Sequence, residues 1–306
     1  MSDIEKELFF LNFALLQSYF RNRMKKRFIT FLLTTIARIP LPGLYLVSDF
    51  FYPVVYHIVK YRRKVVRENL TSAFPEKTHS EILRIEKRFY RFLCDVIVET
   101  VKLLHISNKE LTKRVSVKNY ELVNESVAGG KCAVLLLGHY GNWDWVQEIT
   151  RYFAPEAFNI SIYHPLKDKL WDDIFLKLRG RWQAHIVPMK KAVRTLLDRN
   201  NFPWICGFIA DHRPYLKEEK NAIDFLHHTT YFIYNPEEIG KKVNADFFYL
   251  EMKREKRGYY NIIFHKLAPS DTSLPYPYTR SFWKLFEKTI NEEPALWMWS
   301  HKRWKQ

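Results

Sequence analysis

The sequence predicts an α/β fold: a mixed, mostly parallel central sheet flanked by helices, with a membrane-associated helical region at the N-terminus. From about residue 130, short runs rich in β-branched and aromatic residues alternate with helical stretches. Strands that alternate with helices build a sheet covered on both faces. Before that point, apolar residues recur at helical spacing. Hydrophobic residues make up 47% of the 306 residues, which is enough for a packed core and excludes a disordered chain.

Charged residues interrupt the apolar stretches of the first 60 residues. Because Arg38 and Asp49 break these stretches, no uncharged segment reaches the roughly 18 residues of a spanning helix. We interpret residues 1–60 as helices in or on a bilayer surface, and residues 61–306 as the α/β domain. The alternative is that the N-terminal helices pack on the protein's own core. Residues 1–23 are left open as an extension ahead of the natural start.

Helix and strand signals follow in order along the remaining chain. Thr78 and Glu81 have capping-box spacing and predict a helix that runs to about residue 105. Asn235, followed by proline and two acids, predicts another helix start, and a last helix is expected at about residues 279–291. Strands are expected at Cys132–Leu137, Asn159–Tyr163, His185–Pro188, Trp204–Ile209 and Tyr231–Tyr234, with a hairpin of Phe247–Met252 and Tyr259–Phe264.

The net charge of +16 predicts an anionic partner, which could be nucleic acid, anionic lipid or an acidic carrier protein. The 9 Trp and 18 Tyr suit a membrane interface, but also stacking on single-stranded nucleic acid. Only 9 glycines occur and no Gly-rich phosphate loop, which argues against a nucleotide-driven enzyme. Buried free thiols and no metal site are expected from the separated Cys94, Cys132 and Cys206. Two placements, at the interface or packed inward, are open for Trp297, Trp299 and Trp304.

A candidate site lies where the Cys132–Leu137 strand ends, in the segment Gly-His-Tyr-Gly-Asn-Trp-Asp-Trp that contains His139 and Asp144. The spacing of this pair is weak evidence, because His105 and Glu110 repeat it. Its position is stronger evidence, since ligands of open α/β sheets bind beyond the carboxyl ends of strands. His139 could take the proton of an attacking hydroxyl while Asp144 fixes the imidazole tautomer. A structural histidine beside an acid is the alternative.

Five blocks in order resemble the bacterial lipid A biosynthesis acyltransferases, the late or secondary acyltransferases of the glycerolipid acyltransferase superfamily. The resemblance covers about residues 45–305. The blocks are Arg67-Glu68-Asn69-Leu70 with Phe74-Pro75, the His139 segment, Tyr163-His164-Pro165-Leu166-Lys167, Asp211-His212, and Glu293-Pro294 with Trp299-Ser300-His301-Lys302-Arg303-Trp304-Lys305. Many relatives carry Glu where Asp144 stands, and their single N-terminal anchor is broken up in this chain.

The resemblance implies roles for individual residues. His139 and Asp144 are the implied catalytic pair, and no cofactor or metal is implied. The implied substrate-binding set is Asn142, Trp143, Tyr163, Lys167, Arg179, Asp211 and His212. Within it, Asn142 and Trp143 are expected to order the catalytic loop, and Arg179 to pair with a phosphate or sugar-acid group of the acceptor.

The implied activity is O-acyl transfer from an acyl carrier protein or coenzyme A thioester to a hydroxyl of a lipid A precursor or related glycolipid. The implied location is the cytoplasmic face of the bacterial inner membrane, as a peripheral or monotopic monomer on an anionic surface. An aminolipid or lysophospholipid acceptor is an alternative, as is a non-catalytic lipid-binding protein. A nucleic-acid-binding protein is a further alternative, but no nucleic-acid recognition motif supports it. The acceptor, the acyl length and the donor are left open.

Overall fold

The computed structural model describes residues 27–180, 184–198 and 203–304, so residues 1–23, left open as an extension, lie outside the described part. The helices lie on both sides of a central sheet, as the sequence predicts. The helices are α1 Arg27–Arg38, α2 Leu41–Pro53 with a π-helical continuation Val54–Val59, α3 Arg63–Ala73, α4 His79–Lys102, α5 Asn108–Arg114, α6 Glu121–Ala128, α7 Lys169–Arg179, α8 Met189–Leu197, α9 Asn235–Lys242 and α10 Pro277–Glu292.

The central sheet has seven strands in the order β1-β9-β8-β2-β5-β3-β4. All neighbouring pairs are parallel except β8 and β9, so the sheet is mixed and mostly parallel, as predicted. A separate antiparallel pair is formed by β6 and β7. The strands are β1 Val115–Lys118, β2 Ala133–Leu137, β3 Phe158–Tyr163, β4 His185–Pro188, β5 Trp204–Ile209, β6 Ala222–Phe225, β7 His228–Tyr231, β8 Asp246–Lys256 and β9 Tyr259–Lys266.

Strand β2 lies at the centre of the sheet, between β5 and β8, and every one of its residues is buried. This explains its continuous apolar sequence, which is typical of a parallel strand covered on both faces. In the pairing of β2 with β5, Leu137 lies opposite Ile209. Counting two residues onward from each strand end, His139 and Asp211 leave the sheet side by side.

Helix α4 begins with the predicted capping box, in which Thr78 accepts from the backbone N–H of Glu81 and the Glu81 side chain accepts from that of Thr78. Helix α2 packs on α4, and its Leu44 and Tyr45 are buried in the common core. The opposite face of α2 is exposed, with Phe50 at 71%. Packing on the protein's own core, the alternative to contact with a bilayer, is therefore seen for one face of α2 only.

Among the described helices, none is by itself long and apolar enough to cross a membrane. The segments Arg27–Arg38 and Leu41–Val59 meet the length and composition criteria only as a pair, and the pair is bent by 115°. This agrees with the charges that interrupt the apolar stretches in the sequence.

Two local predictions were wrong. The expected strand Tyr231–Tyr234 is instead the end of β7 followed by the turn into α9, and β7 belongs to the small hairpin outside the main sheet. The α9 start carries no side-chain cap, so Asn235 does not cap it as predicted. The β8–β9 hairpin is confirmed, with Gly258 at its turn in a left-handed conformation, φ 74°, which glycine adopts without strain.

The chain after α10 turns back into the core of the protein. A short 3₁₀-helix, Pro294–Leu296, is followed by Trp297 and Trp299, which are 4% and 1% exposed. Of the two placements open for these tryptophans, the inward one is therefore correct. The three cysteines are free and buried, as expected.

Candidate active site

His139 and Asp211 form a hydrogen-bonded pair at the carboxyl end of the sheet. The Nδ1 atom of His139 lies 2.8 Å from Asp211 Oδ1, and the His139 backbone N–H donates to Asp211 Oδ2 at 3.0 Å. Asp211 is buried, whereas the His139 side chain remains 22% exposed. The parallel pairing of β2 and β5 brings these two residues together, since each follows the end of its strand.

The Nδ1 hydrogen bond that the spacing assigned to Asp144 is made by Asp211 in the structure, whereas a catalytic role of Asp144 stays a prediction. Asp144 Oδ2 instead accepts from Thr100 Oγ1 at 2.8 Å. No α-helix follows the His139 loop, because a 3₁₀-helix, Trp145–Tyr152, takes that place. This tighter winding starts directly after Asp144, and the loop directs Trp143 against the imidazole, with ring centroids 5.4 Å apart.

Asn142 orders the loop between β2 and the 3₁₀-helix. Its amide donates to Glu99 Oε2 at 2.6 Å and its carbonyl oxygen accepts from the backbone N–H of Trp145 at 3.2 Å. Asn142 and Glu99 are both 0% exposed. The expected loop-ordering role agrees with this geometry, but a direct substrate contact does not, because the side chain is buried and its amide is engaged.

Glu99 is a buried carboxylate that joins four parts of the chain. Besides Asn142 it accepts from the hydroxyls of Tyr45 on α2, at 2.8 Å, and Tyr260 on β9, at 2.7 Å. Its backbone carbonyl accepts from the Trp145 indole at 3.2 Å. Burial raises the pKa of Glu99, although the three side-chain donors act in the opposite direction. The loop that carries His139 is therefore fixed to α2, α4 and the sheet through one side chain.

The C-terminal segment holds the same pair from the other side. The Trp297 indole donates to Asp211 Oδ2 at 3.0 Å, and the Met298 backbone N–H donates to the His139 carbonyl at 3.1 Å. The buried Arg303 guanidinium lies over the Trp283 ring, 4.6 Å from its centroid, and donates to the Asp211 backbone carbonyl. Residues far apart in sequence thus surround Asp211.

The first and the last of the five sequence blocks that resemble the family are in contact next to the His139–Asp211 pair. The side-chain amide of Asn69 on α3 donates to the backbone carbonyls of Trp299 and His301, at 2.9 Å each. Arg67 of the same block forms an ion pair with the buried Glu86 on α4, at 2.8 Å. The N-terminal block therefore supports the C-terminal segment that contacts the His139–Asp211 pair.

The charge states of the pair follow from its surroundings. Burial acts to raise the pKa of Asp211, but the charge and hydrogen bond of His139, the charge of Arg303 and the Trp297 bond hold it well below its usual range. Burial acts to lower the pKa of His139, but Asp211 and, more weakly, the charge of Asp144 raise it above 6.5. Since Asp211 is a carboxylate and can only accept, Nδ1 carries the proton and Nε2 is the basic nitrogen.

His139 lines a cavity of about 330 Å³ whose walls carry both charged and aromatic side chains. Tyr61 and Arg62, which follow the N-terminal helices, form part of its wall, and the C-terminal segment forms another. The His212 ring lies next to the His139 ring, with centroids 4.6 Å apart. His212 therefore lies beside the His139 imidazole, and its predicted contact with substrate stays a prediction.

An apolar groove of about 110 Å³ lies on the other side of Trp143, which lines both spaces. Its wall includes Gly207 and the polar residues Asp144, Gln147, Thr150, Asn159 and Ser161, together with apolar side chains of β2, β3 and β5. The apolar residues of this wall are Leu135, Leu137, Val146, Ile149, Phe153, Ile160, Ile162, Ile205 and Ile209. A hydrocarbon chain would be desolvated in such a groove.

The remaining predicted residues are less closely tied to His139. Tyr163 ends β3 and is half-buried, whereas Lys167 lies exposed in the following loop, and neither lines the His139 cavity. Arg179 is the last residue of α7, and its side chain lies outside the described part of the structure. Their proposed contacts with substrate stay predictions.

Comparison with known families now bears on this arrangement. The family model described as Bacterial lipid A biosynthesis acyltransferase matches residues 20–306.

The chain belongs to this family.

It is therefore an acyltransferase, and the activity implied by the five sequence blocks is supported at the level of the family. A search of the curated proteins finds no match.

Three residues of this acyltransferase site were missed from the sequence. Glu99 lies within an ordinary amphipathic helix, where an acid on the apolar face was the available signal. Trp297 and Arg303 lie in the C-terminal aromatic and basic cluster, whose direction the sequence left undecided. Each contacts the site through tertiary packing, which local spacing does not encode.

Proposed function

We propose that the protein transfers a fatty acyl chain from a carrier-protein or coenzyme A thioester to a hydroxyl of a lipid A precursor or related glycolipid, with His139 as the general base. The observation that carries this proposal is the His139–Asp211 pair, 2.8 Å apart, at the mouth of a cavity at the carboxyl end of the sheet. A buried carboxylate on Nδ1 fixes the tautomer that leaves Nε2 basic.

The transfer needs no nucleophile from the protein. The acceptor hydroxyl oxygen attacks the thioester carbonyl carbon while Nε2 of His139 takes its proton. The tetrahedral intermediate then collapses, its C–S bond breaks, and the leaving thiolate receives the proton from His139. Asp211 stays ionised throughout and stabilises the imidazolium, which its low pKa permits.

The two spaces on either side of Trp143 suit the two substrates. The apolar groove fits the acyl chain, because it is lined largely by aliphatic side chains. The cavity lined by the His139 ring fits the acceptor, because Nε2 of His139 takes the proton of the acceptor hydroxyl. Asp144 lines the groove, and its negative charge raises the pKa of His139.

Membrane association is supported by the exposed apolar side chains of the N-terminal helices. They include Phe28, Phe31, Leu46, Phe50, Ile58 and Val59, which are between 63% and 74% exposed. An exposed apolar surface of this extent beside basic residues suits the interface of an anionic bilayer. The proposed location is the cytoplasmic face of the bacterial inner membrane, with the protein lying on the surface as a monomer.

The decisive experiment is acyl transfer by purified protein with His139→Ala. We expect transfer to be abolished while the melting temperature and vesicle binding stay as in the wild type. Lipid mass spectrometry of cells with and without the gene would identify the acceptor and the acyl length. Retained turnover in the His139→Ala protein would contradict the proposal. Binding of oligonucleotides in preference to anionic vesicles would favour the nucleic-acid alternative.

A further inference from the structure

Two residues with left-handed backbone lie between the N-terminal helices and the catalytic domain. Lys60 has φ 52° and Arg62 has φ 49°, conformations that residues other than glycine adopt only at an energetic cost. The intervening Tyr61 is held by its carbonyl, which accepts from Tyr90 Oη at 2.5 Å. This turn brings Tyr61 and Arg62 to the wall of the His139 cavity. Strained backbone of this kind occurs preferentially at ligand sites.

Among the described residues, more cationic than anionic side chains line the cavity. Arg62 and Arg303 are cationic, since burial lowers the pKa of Arg303 only to about 10. Asp211 is the one carboxylate among the described lining residues, and it is engaged with His139. A cavity with this balance of charge favours an anionic ligand.

Three imidazoles line the cavity, those of His139, His212 and His301. The ring centroid of His212 is 4.6 Å from that of His139, and the His301 centroid is a further 6.2 Å from His212. Arg62 Nη1 donates to the carbonyl of Ser300, at 3.1 Å, directly before His301. Arg62 and His301 are both exposed, so their donors are accessible.

The other two imidazoles, of His212 and His301, lie in surroundings that disfavour a further positive charge. Burial and the positive charge of His139 and Arg303 lower the pKa of His212, and the same influences with Arg213 lower that of His301, although Asp211 acts oppositely on both. A neutral imidazole offers one N–H donor at pH 7, and an anion beside it would offset the surrounding positive charge.

We propose that Arg62 and His301, with His212 beside them, form a subsite for a phosphate group of the acceptor lipid in the cavity that His139 lines. This inference rests on the proposed function and adds to it the chemistry of the acceptor headgroup. Arginine recognises phosphate through paired donors, and the imidazoles supply further N–H groups. Because the turn follows the exposed helices directly, the subsite lies where a headgroup would enter from a bilayer surface.

The test is calorimetric titration of the full chain with three soluble probes: inorganic phosphate, dihexanoyl phosphatidic acid and dihexanoylglycerol. The variants are Arg62→Gln and, as a matched control, Lys60→Gln, which removes the same charge two residues away at a similar φ but outside the cavity lining. A charge-assisted hydrogen bond predicts that Arg62→Gln weakens phosphatidic acid binding at least about tenfold. The Lys60→Gln protein should stay within about twofold of the wild type.

Equal weakening by the two variants, or no weakening by Arg62→Gln, would overturn the subsite. Binding of inorganic phosphate as tight as that of the lipid would assign it to a free anion and contradict the acceptor role. Tighter binding of phosphatidic acid than of either other probe supports a headgroup. The same titration in the His139→Ala protein separates the two proposals, because binding there is independent of turnover.

Discussion

Trp297 and Asp211 are joined by a hydrogen bond of 3.0 Å between the indole Nε1–H and the carboxylate Oδ2. The same oxygen accepts from the backbone N–H of His139, whereas Oδ1 faces the imidazole. Two donors on one oxygen fix the rotation of the carboxylate, so that the other oxygen stays directed at Nδ1. The C-terminal segment thus positions the carboxylate that is hydrogen-bonded to the His139 imidazole.

Trp297→Phe should lower kcat about tenfold with little change in KM. The change removes one hydrogen bond to a charged acceptor, worth about 1.5 kcal/mol, while the ring still packs in the aromatic core. Steady-state kinetics would measure kcat and KM separately. The control is Trp204→Phe, which removes an indole bond of 3.1 Å to the Leu196 carbonyl in an equally buried place remote from His139. Similar kcat losses in both proteins would contradict a positioning role.

Asp211→Asn and Asp144→Asn should differ in the size of their effects. Asp211→Asn removes the charged partner of Nδ1, so we expect kcat to fall by about a hundredfold or more. Asp144→Asn removes a charge that raises the pKa of His139, and should retain most of kcat at alkaline pH. A larger loss from Asp144→Asn than from Asp211→Asn would restore the orienting role that the sequence spacing gave to Asp144.

The pH profile supplies an independent check on the same pair. Because the folded pKa of His139 is raised above 6.5, the basic imidazole is lost as the pH falls through that raised value, and kcat/KM should decline there. Asp144→Asn removes one of the charges that raise this pKa. Its acid limb should therefore move to lower pH. A limb that moves to higher pH, or does not move, would show that Asp144 does not act on His139.

The sequence predicted the position of His139 but not its partner, and the reason is physical. The apolar run Ala133–Leu137 followed by glycine marks a buried strand end, which is local information. Asp211 is 72 positions from His139 and reaches it only because β2 and β5 pair in parallel and in register. Strand pairing across that distance cannot be read from periodicity, whereas local spacing points to the nearer acid, Asp144.

The network around Glu99 shows the same limit for helices. The capping box and apolar periodicity of α4 predicted where the helix begins and which face is buried. They could not show that Tyr45, Asn142 and Tyr260 converge on one acid of that face, because the three donors come from separate elements. The C-terminal blocks were recognisable for a different reason, since they resemble a family pattern as a whole.

Tyr260→Phe should destabilise the fold by about 1.5–3 kcal/mol in urea unfolding, because it removes a donor from the buried Glu99 carboxylate. The control, Tyr249→Phe, removes the bond of a similarly buried hydroxyl to neutral Thr289 Oγ1, and should cost about 1 kcal/mol.

The loss of unfolding free energy caused by Tyr260→Phe should also depend on pH. Burial raises the folded pKa of Glu99, so the stability linked to its protonation is present below the unfolded pKa and is lost as the pH rises through the folded pKa. Removing a donor raises that folded pKa further. The difference from the wild type should therefore grow from acid to neutral pH, and a constant difference would contradict an ionised Glu99.

Phe50→Ser combined with Ile58→Ser should weaken binding to vesicles of anionic lipid at least about tenfold, because burying such side chains contributes about 1.5–3 kcal/mol each. Both are exposed, at 71% and 74%, on the N-terminal helices. Cosedimentation measures the change. Leu274→Ser with Leu285→Ser, exposed apolar positions near the C-terminus, is the control. Equal losses in both double variants would argue against docking through the N-terminal helices.

Gly207→Leu should shift the acyltransferase toward shorter acyl chains. Gly207 lies in the wall of the apolar groove, and a Cβ added there meets Leu137 Cδ2 at 3.8 Å, an ordinary contact that leaves the backbone unstrained. The longer side chain then occupies groove volume. Each acyl methylene displaced loses about 0.8 kcal/mol of burial, so chains two methylenes too long should lose about tenfold or more in kcat/KM.

A series of acyl donors of increasing length measures this shift and contains its own control. Donors short enough to end before Gly207 should keep kcat/KM within about twofold of the wild type, because the His139–Asp211 pair lies outside the filled volume. A loss that is uniform over all chain lengths would mean that the substitution disturbs β5 and with it Asp211. A length-dependent loss places the acyl chain in the groove between β2, β3 and β5, on the side of Trp143 away from the acceptor cavity.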